Sequence, residues 1–358
     1  MKFAFIAQTA YQLMNLIKFV YYNTEDSKGQ SVIFISDKVS SDLADIRLLT
    51  DSGLFNRVII YKKKQYKENK IAGKIDTLSN MINRNSFRKL LTDSYDFREA
   101  EIVVVPTSSL ESQMFWQYIK HKKVYLIEDG LGSLTGNIVE DGMRKSRKIL
   151  TNLLYGTFTV DKMYLNNLAF NNSVSNIEIE EIPGVYNKEL CAFLKKVFLP
   201  SGYGRTYNEN DVIYLQQPVT QWSCEYVDLE KQLLQRCFEK LGDRFKIRCH
   251  PVTVGNPRIK GISYDIQNYA WEALCIEEIT DKSILMGVFS TAQYSPKQIF
   301  NSEPSIIFIH RIIKPTNIEQ AEIERMIEVL RTKYSDKSKI YMPDSIDELL
   351  YVLDNILI

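Results

Sequence analysis

A histidine beside a proline, His250-Pro251, is the first place in this sequence where chemistry is expected. Residues 243–248 alternate between charged and apolar side chains, which is typical of a half-buried strand. His250 therefore follows the carboxyl end of a strand, where open α/β sheets bind their ligands. The chain has only three histidines, so few side chains can serve as a near-neutral acid or contact a phosphate. The alternative is a turn histidine bonded to a nearby carbonyl.

Two adjacent carboxylates, Glu128 and Asp129, follow an apolar run over residues 123–127 and precede Gly130. Successive side chains of an extended segment point in opposite directions. One carboxylate can therefore face a ligand while the other bonds within the protein. A carboxylate held beside a substrate hydroxyl can act as a general base. The alternative is a Glu-Asp turn that begins an ordinary loop.

Two hydroxyl side chains, Ser290 and Thr291, follow a strand predicted over residues 283–288 and can begin a helix. Hydroxyls and backbone amides at a helix N-terminus suit a phosphate, although a plain N-cap pair has the same appearance. Glu272 lies near the start of another predicted helix, between the His-Pro and Ser-Thr turns. Its carboxylate could accept both hydroxyls of a ribose, or it could simply favour the first helical turn.

Sequence motifs for metals and for the common phosphate loops are missing. There is no DxD motif in a suitable loop, no histidine-rich or acidic cluster with metal-ligand spacing, no GxGxxG and no Walker A loop. The sequence therefore predicts a metal-free nucleotide site made from His250, Ser290 and Thr291.

The elements that position these residues alternate between strand and helix patterns, which indicates βαβ units and parallel sheets. The first strand is predicted at residues 2–7 and is followed by a helix capped by Thr9, and residues 37–49 fit a single helix. A length of 358 residues exceeds what one core usually serves. We expect two α/β domains, 1–204 and 205–358, joined by a glycine-containing linker over 199–204.

The composition excludes several classes of protein. Forty-five basic and 44 acidic residues nearly balance, which argues against a nucleic-acid binder. Five cysteines without a CxxC pair argue against a disulfide framework or zinc site and favour a reducing cytoplasm. No apolar window is long enough to span a membrane, and we expect no signal peptide. The basic run over 62–70 fits a solvated loop or, alternatively, a peripheral contact with anionic lipid at the inner membrane surface.

In order, Glu128-Asp129-Gly130, His250-Pro251 and Ser290-Thr291 resemble the acidic-acidic-Gly, His-Pro and paired Ser/Thr motifs of bacterial sialyltransferases. Residues 7–15, AQTAYQLMN, look most like glycosyltransferase family 52, the lipooligosaccharide sialyltransferases. The resemblance implies a GT-B fold, in which two Rossmann-like domains face each other across a cleft. It also implies metal-independent, inverting transfer of sialic acid from CMP-sialic acid to a sugar hydroxyl, with galactose expected, during capsule or lipooligosaccharide biosynthesis.

The resemblance implies donor contacts residue by residue, all in the second domain. His250 would bond the donor phosphate and assist the departure of CMP, and Ser290 and Thr291 would hold the same phosphate. Pro251 and Glu272 would contact cytidine and its ribose.

The general base is left open by the resemblance, which places the acceptor side in the first domain. The acidic-acidic-Gly motif favours Asp129, with Glu128 close behind. A base upstream of the His-Pro motif is also implied in family 52. Asp228 occupies a comparable place, although it fits an exposed carboxylate on an amphipathic helix equally well. Two other functions stay open, namely a GT-B hexosyltransferase that uses another nucleotide sugar and a non-catalytic nucleotide-sugar-binding protein. Whether two chains pair as a homodimer is also open.

Overall fold

The computed structural model describes residues 2–23, 30–61, 100–106, 122–130, 160–171, 177–217, 224–250, 259, 261–265, 269–315 and 318–357. The basic run at 62–70 and Pro251 lie outside these described residues. The chain divides into two compact units, Met1–Pro200 and Ser201–Ile358. Each unit contains its own parallel sheet.

The sheet of the first unit has seven parallel strands in the order β3-β2-β1-β4-β5-β6-β7. The strand order reverses between β1 and β4, which is the topological switch point of a Rossmann-like fold. Every residue of β1, β2 and β4 is buried, as expected for strands covered on both faces. The strands are β1 Phe3–Ala7, β2 Ser31–Ser36, β3 Arg57–Tyr61, β4 Ile102–Pro106, β5 Lys123–Ile127, β6 Lys162–Leu165 and β7 Glu178–Glu181.

The described helices of the first unit are α1 Ala10–Tyr22, α2 Asp37–Asp42, α3 Ile46–Asp51 and α4 Lys188–Phe198. Thr9 caps α1 as predicted, and its hydroxyl accepts from the Gln12 N–H at 3.2 Å. The prediction of one helix over 37–49 is wrong. Asp45 interrupts it because its carboxylate accepts from the Arg47 and Leu48 N–H groups and so caps a new helix.

The second unit repeats the same topology with six parallel strands in the order β10-β9-β8-β11-β12-β13. The order reverses between β8 and β11. The short strands β10 and β13 were not predicted, because runs of three and two residues carry too little periodicity. The strands are β8 Val212–Leu215, β9 Phe245–Arg248, β10 Ser263–Asp265, β11 Ile284–Gly287, β12 Ser305–Phe308 and β13 Ile340–Tyr341.

The described helices of the second unit are α5 Cys224–Leu241, α6 Trp271–Glu277, α7 Thr291–Phe300, α8 Gln320–Lys333 and α9 Ile346–Ile356. The core lies between the sheet and helices α5 and α9, where Tyr214, Phe245, Leu233 and Leu349 are completely buried. None of the helices in the described part of the chain is both long and apolar enough to cross a membrane.

The start of the second unit is held against the end of helix α6 by one carboxylate. Both oxygens of buried Glu278 accept backbone N–H groups, from Thr206 at 2.7 Å and from Tyr207 at 2.8 Å. The Tyr207 hydroxyl donates to Asp265 at 2.5 Å. Residues 206–207, just beyond the predicted linker, therefore belong structurally to the second unit.

Candidate functional site

The carboxylate of Glu128, directly after β5, is completely buried and bonded on both oxygens. Oε1 accepts from the Tyr11 hydroxyl at 2.5 Å, and Oε2 accepts from the Asn166 backbone N–H at 2.7 Å. With its acceptors directed at protein donors, this carboxylate fixes the chain after β5.

The neighbouring carboxylate of Asp129 is partly exposed. Its Oδ1 accepts from Nε2 of Gln12 at 2.6 Å, and the Gln12 Oε1 accepts in turn from the Gln8 N–H at 2.7 Å. Gly130 follows with a φ of 100°, a backbone conformation that glycine adopts without strain. The prediction that one carboxylate of the pair bonds within the protein is confirmed for Glu128, and the prediction that Asp129 faces a ligand stays a prediction.

A stripe of buried polar side chains on helix α1 holds this motif in place. The Asn15 Nδ2 donates to the Glu128 backbone oxygen at 3.2 Å, and Lys18 Nζ donates to the Asn166 Oδ1 at 2.5 Å. Asn166 in turn donates to the Tyr11 hydroxyl at 3.0 Å. On helix α1, Tyr11, Asn15 and Lys18 are spaced three or four positions apart and so lie on one helical face.

Lys18 is the unusual member of this stripe because its ammonium group has no exposure to solvent. Burial lowers the pKa of Lys18 to about 8, against the opposing attraction of Glu128 and Glu181. This stripe was not predicted from the sequence. Its signal was present as polar residues at helical spacing inside an otherwise apolar segment, namely Tyr11, Gln12, Asn15 and Lys18.

His250 lies two residues beyond β9, as predicted, and is partly buried. Burial lowers the pKa of His250 below its ordinary value of 6.5, which favours the neutral form of its imidazole. The preceding residue, Cys249, is fixed to the adjacent strand β10, because its N–H donates to the Asp265 backbone oxygen at 3.1 Å. A neutral imidazole offers one N–H donor and one acceptor nitrogen.

The turn that carries His250 is anchored by a buried ion pair at the end of β9. Arg248 donates to the Asp265 carboxylate and to the Tyr269 backbone oxygen. Asp265 also receives the hydroxyl of Tyr207, so two donors converge on one carboxylate. Arg248 therefore connects the end of β9 to the segment that begins helix α6.

Ser290 and Thr291 lie at the carboxyl end of β11, where Ser290 is the N-cap of helix α7. The Ser290 hydroxyl accepts from the Ala292 N–H at 3.3 Å, and Gln293 closes a capping box by accepting the Ser290 N–H at 3.0 Å. Both hydroxyl residues are partly exposed. Ser290 can therefore cap helix α7 and still be reached by a phosphate, so the two alternatives given for the pair do not exclude each other.

Glu272 is the second residue of helix α6 and is buried. Its Oε1 accepts from the Ser295 hydroxyl at 3.3 Å, and burial raises the pKa of its carboxyl group. The side chain therefore bonds toward helix α7, and its contact with a ribose stays a prediction.

Asp228 is an exposed carboxylate on helix α5, with a side chain 74% accessible and an ion pair to Lys231 at 3.3 Å. Its role as a base stays a prediction.

The structure places His250 with Ser290 and Thr291 at the carboxyl edge of one sheet, after strands β9 and β11 on either side of β8. Glu128 and Asp129 lie at the corresponding edge of the other unit. Among the described residues, no three or more His, Cys, Asp or Glu side chains are placed to hold a metal ion.

Comparison with solved structures shows the fold. The chain is similar to the UDP-GlcNAc 2-epimerase from Methanocaldococcus jannaschii, with a TM-score of 0.52 and 11% identity, over 100% of this chain and 93% of that chain. It is also similar to the spinosyn rhamnosyltransferase SpnG complexed with thymidine diphosphate, with a TM-score of 0.51 and 8% identity over 100% and 92% of the two chains. The chain has the GT-B fold.

A sialyltransferase GT-B domain from Photobacterium damselae is more distant, at a TM-score of 0.46 and 11% identity, over 96% of this chain and 100% of that chain. No family model and no curated protein matches the chain, so membership of family 52 stays a prediction. At these identities the fold alone is shared, and the donor sugar has to be argued from the site.

Proposed function

We propose that this protein is an inverting, metal-independent sialyltransferase that moves sialic acid from CMP-sialic acid to a sugar hydroxyl of a surface glycan. The observation that carries the proposal is the placement of His250, Ser290 and Thr291 at the switch-point edge of the second unit. Ligands bind at this position in open α/β sheets. The three motifs also occur in the order that resembles bacterial sialyltransferases.

In the proposed donor site, helix α7 and His250 meet the phosphate of the departing CMP. The N-terminus of this ten-residue helix favours an anion, and Ser290 and Thr291 add hydroxyl donors. The neutral imidazole of His250 can donate its N–H to a phosphate oxygen and so stabilise the charge that develops on the leaving group. These groups would supply the stabilisation that a divalent cation supplies in other transferases.

In the proposed acceptor site, Asp129 removes the proton from the attacking hydroxyl. It is the accessible carboxylate of the Glu-Asp pair, and its Oδ1 is oriented by Gln12. Glu128 is the weaker candidate because both of its oxygens already accept from Tyr11 and Asn166. The hydroxyl oxygen forms the new bond to the sugar carbon, the bond from that carbon to the CMP phosphate oxygen breaks, and the proton passes to the carboxylate.

A second candidate is a hexosyltransferase that uses another nucleotide sugar. The observation that favours it is the similarity to a rhamnosyltransferase complexed with thymidine diphosphate. The fold does not choose between these donors.

The first experiment measures melting temperature with CMP, CMP-sialic acid, UDP, GDP and thymidine diphosphate, for wild type, His250→Ala and His250→Gln. A ligand at about 100 times its dissociation constant stabilises the folded state by roughly 2.7 kcal/mol. We expect only the cytidine nucleotides to raise the melting temperature. We also expect His250→Ala to lose much of the effect and His250→Gln, which retains an N–H donor, to lose less.

Three outcomes would contradict the proposal in different ways. Stabilisation by UDP, GDP or thymidine diphosphate alone would favour the hexosyltransferase. Stabilisation by CMP without release of CMP from CMP-sialic acid, when galactose-terminated acceptors are supplied, would favour a non-catalytic binding protein. An unchanged response in His250→Ala would remove this histidine from the site.

A further inference from the structure

Strands β8 and β11 stop pairing at the switch point of the second unit, and the unpaired stretch beyond their last pair is called the gap below. The two strands pair up to Tyr214 and Met286, the last partners in their register. Beyond that point the chain after β8 still pairs with β9, because the Gln216 N–H donates to the Arg248 backbone oxygen at 3.0 Å. Such a gap is where a Rossmann-like fold admits its ligand.

One side chain, that of Gln217, bridges this gap. Its Nε2 donates to the Phe289 backbone oxygen, and its Oε1 accepts from the Phe289 N–H at 3.3 Å. A side-chain amide has both a donor and an acceptor, so it can satisfy both backbone groups of one residue as a paired strand would. Gln217 therefore ties the end of β8 to the residue directly before Ser290.

The same turn is fixed from its buried side by a second glutamine, Gln293. This completely buried side chain donates to the Gly287 oxygen at 3.3 Å and the Ile307 oxygen at 3.2 Å, and accepts the Ser290 N–H. A Cβ at Gly287 would lie 3.0 Å from the Gln293 amide carbon, so the glycine leaves room for it.

The two glutamines differ in their exposure to solvent. Gln293 lies in the interior, whereas Gln217 is partly exposed at the open edge of the sheet. Gln217 therefore lies on the side of the sheet where the nucleotide is proposed to bind.

We infer that Gln217 is a positioning residue for the donor phosphate, acting through the Phe289 backbone to set the direction of the Ser290 hydroxyl. This inference rests on the proposed function. Nucleotide affinity should then depend on the Gln217 amide and not merely on the length of the side chain.

The test measures the CMP dissociation constant by calorimetry for wild type, Gln217→Met and Gln217→Glu. Methionine keeps the length and removes both hydrogen bonds, and we expect about tenfold weaker binding. Glutamate can still accept from the Phe289 N–H but faces its carbonyl oxygen and places a negative charge beside the phosphate. We expect about 100-fold weaker binding for that variant.

Two control variants separate positioning from general effects. Gln235→Glu makes the same charge change on the surface of helix α5, where Gln235 donates only to Glu239 among the contacts described, and should bind CMP like wild type. Gln293→Met removes the buried glutamine and should lower the melting temperature far more than Gln217→Met does.

Hydrogen exchange of the Phe289 amide in the free protein supplies a readout that needs no nucleotide. It should be faster in Gln217→Met than in wild type. Unchanged exchange, or faster exchange with CMP affinity retained, would overturn the inference and leave the proposed function standing. If wild type binds none of the five nucleotides, the proposed function fails and the inference fails with it.

Discussion

The two units present their candidate residues at equivalent sheet edges but hold them by different means. In the first unit, the Glu-Asp pair is held by side chains of helix α1 and by Asn166, most of them buried. In the second unit, Ser290 and Thr291 are placed by a strand end, a helix cap and two glutamines that bond to the backbone.

This difference has consequences for how each edge responds to substitution. The hydrogen bonds of the first unit join residues 117 and 155 positions apart and lie around buried Lys18. Replacing one of these residues can therefore leave a buried charge without a partner. The capping box of the second unit joins residues three positions apart and leaves its hydroxyls at the surface. We expect large coupled effects around Glu128 and Lys18 in the first unit, and small separable effects from the capping hydroxyl of Ser290 in the second.

The largest expected effect is on turnover, from Asp129→Asn. Asparagine keeps an acceptor for Gln12, so the fold should be retained while the base is lost, and the rate should fall by about 10²–10⁴. Initial rates of sugar transfer and melting temperature are measured together. A loss in Asp228→Asn with full activity in Asp129→Asn would move the base to the second unit.

The next largest effect is on the stability of the first unit, from Glu128→Gln. Removing this carboxylate takes away the negative charge near buried Lys18, and we expect the free energy of unfolding to fall by about 3 kcal/mol. Urea unfolding of Glu128→Gln, Lys18→Met and the double variant measures the coupling. The double variant should be more stable than the sum of the single losses predicts, and strict additivity would show that the two charges do not interact.

In the second unit, we expect Glu230→Gln to raise the free energy of unfolding by about 2 kcal/mol at alkaline pH. Glu230 on α5 is buried, accepts the Tyr214 hydroxyl at 2.6 Å, and has its pKa raised to about 7 by burial. A folded-state pKa above the unfolded value means that ionisation weakens the folded state as pH rises from about 4.5 past about 7.

Glutamine mimics the protonated acid, so the Glu230→Gln variant should be more stable than wild type at pH 8 and nearly equal to it at pH 5. Melting curves at the two pH values test this. A stability gain of the same size at both pH values would mean that Glu230 does not titrate in this range.

The smallest effect, about 1 kcal/mol, is expected from Ser290→Ala, which removes the N-cap of α7. Ser345 caps α9 in the same way, accepting the Glu348 N–H at 3.2 Å, and Ser345→Ala is the matched control. Both should lower the melting temperature by similar amounts, whereas only Ser290→Ala should also weaken CMP binding. Equal CMP affinity in the two variants would show that Ser290 caps α7 and does not contribute to CMP binding.

The sequence predicted the elements whose signals are local. The cap at Thr9, the strand before His250 and the helix start at Ser290 all depend on residues a few positions apart, and each is found where it was expected. The break at Asp45 was also a local signal, but the apolar pattern around it favoured a continuous helix.

The sequence could not predict partners that meet only through tertiary packing. Lys18 is of a residue type that is rarely buried, yet it is buried beside Asn166, 148 positions away. Gln217 reaches Phe289 across 72 positions. No periodicity encodes such pairs, because they depend on the order in which strands are placed in the sheet.

The carboxylate of Glu278 has a bearing on how the chain can be divided for separate expression. A fragment that began at Asn208 would leave buried Glu278 without the Thr206 and Tyr207 N–H groups, and Asp265 without the Tyr207 hydroxyl. A fragment that began at Ser201 would retain all three. One acidic side chain at the end of α6 therefore sets the limit for shortening the second unit at Thr206, just beyond Gly204 of the predicted linker.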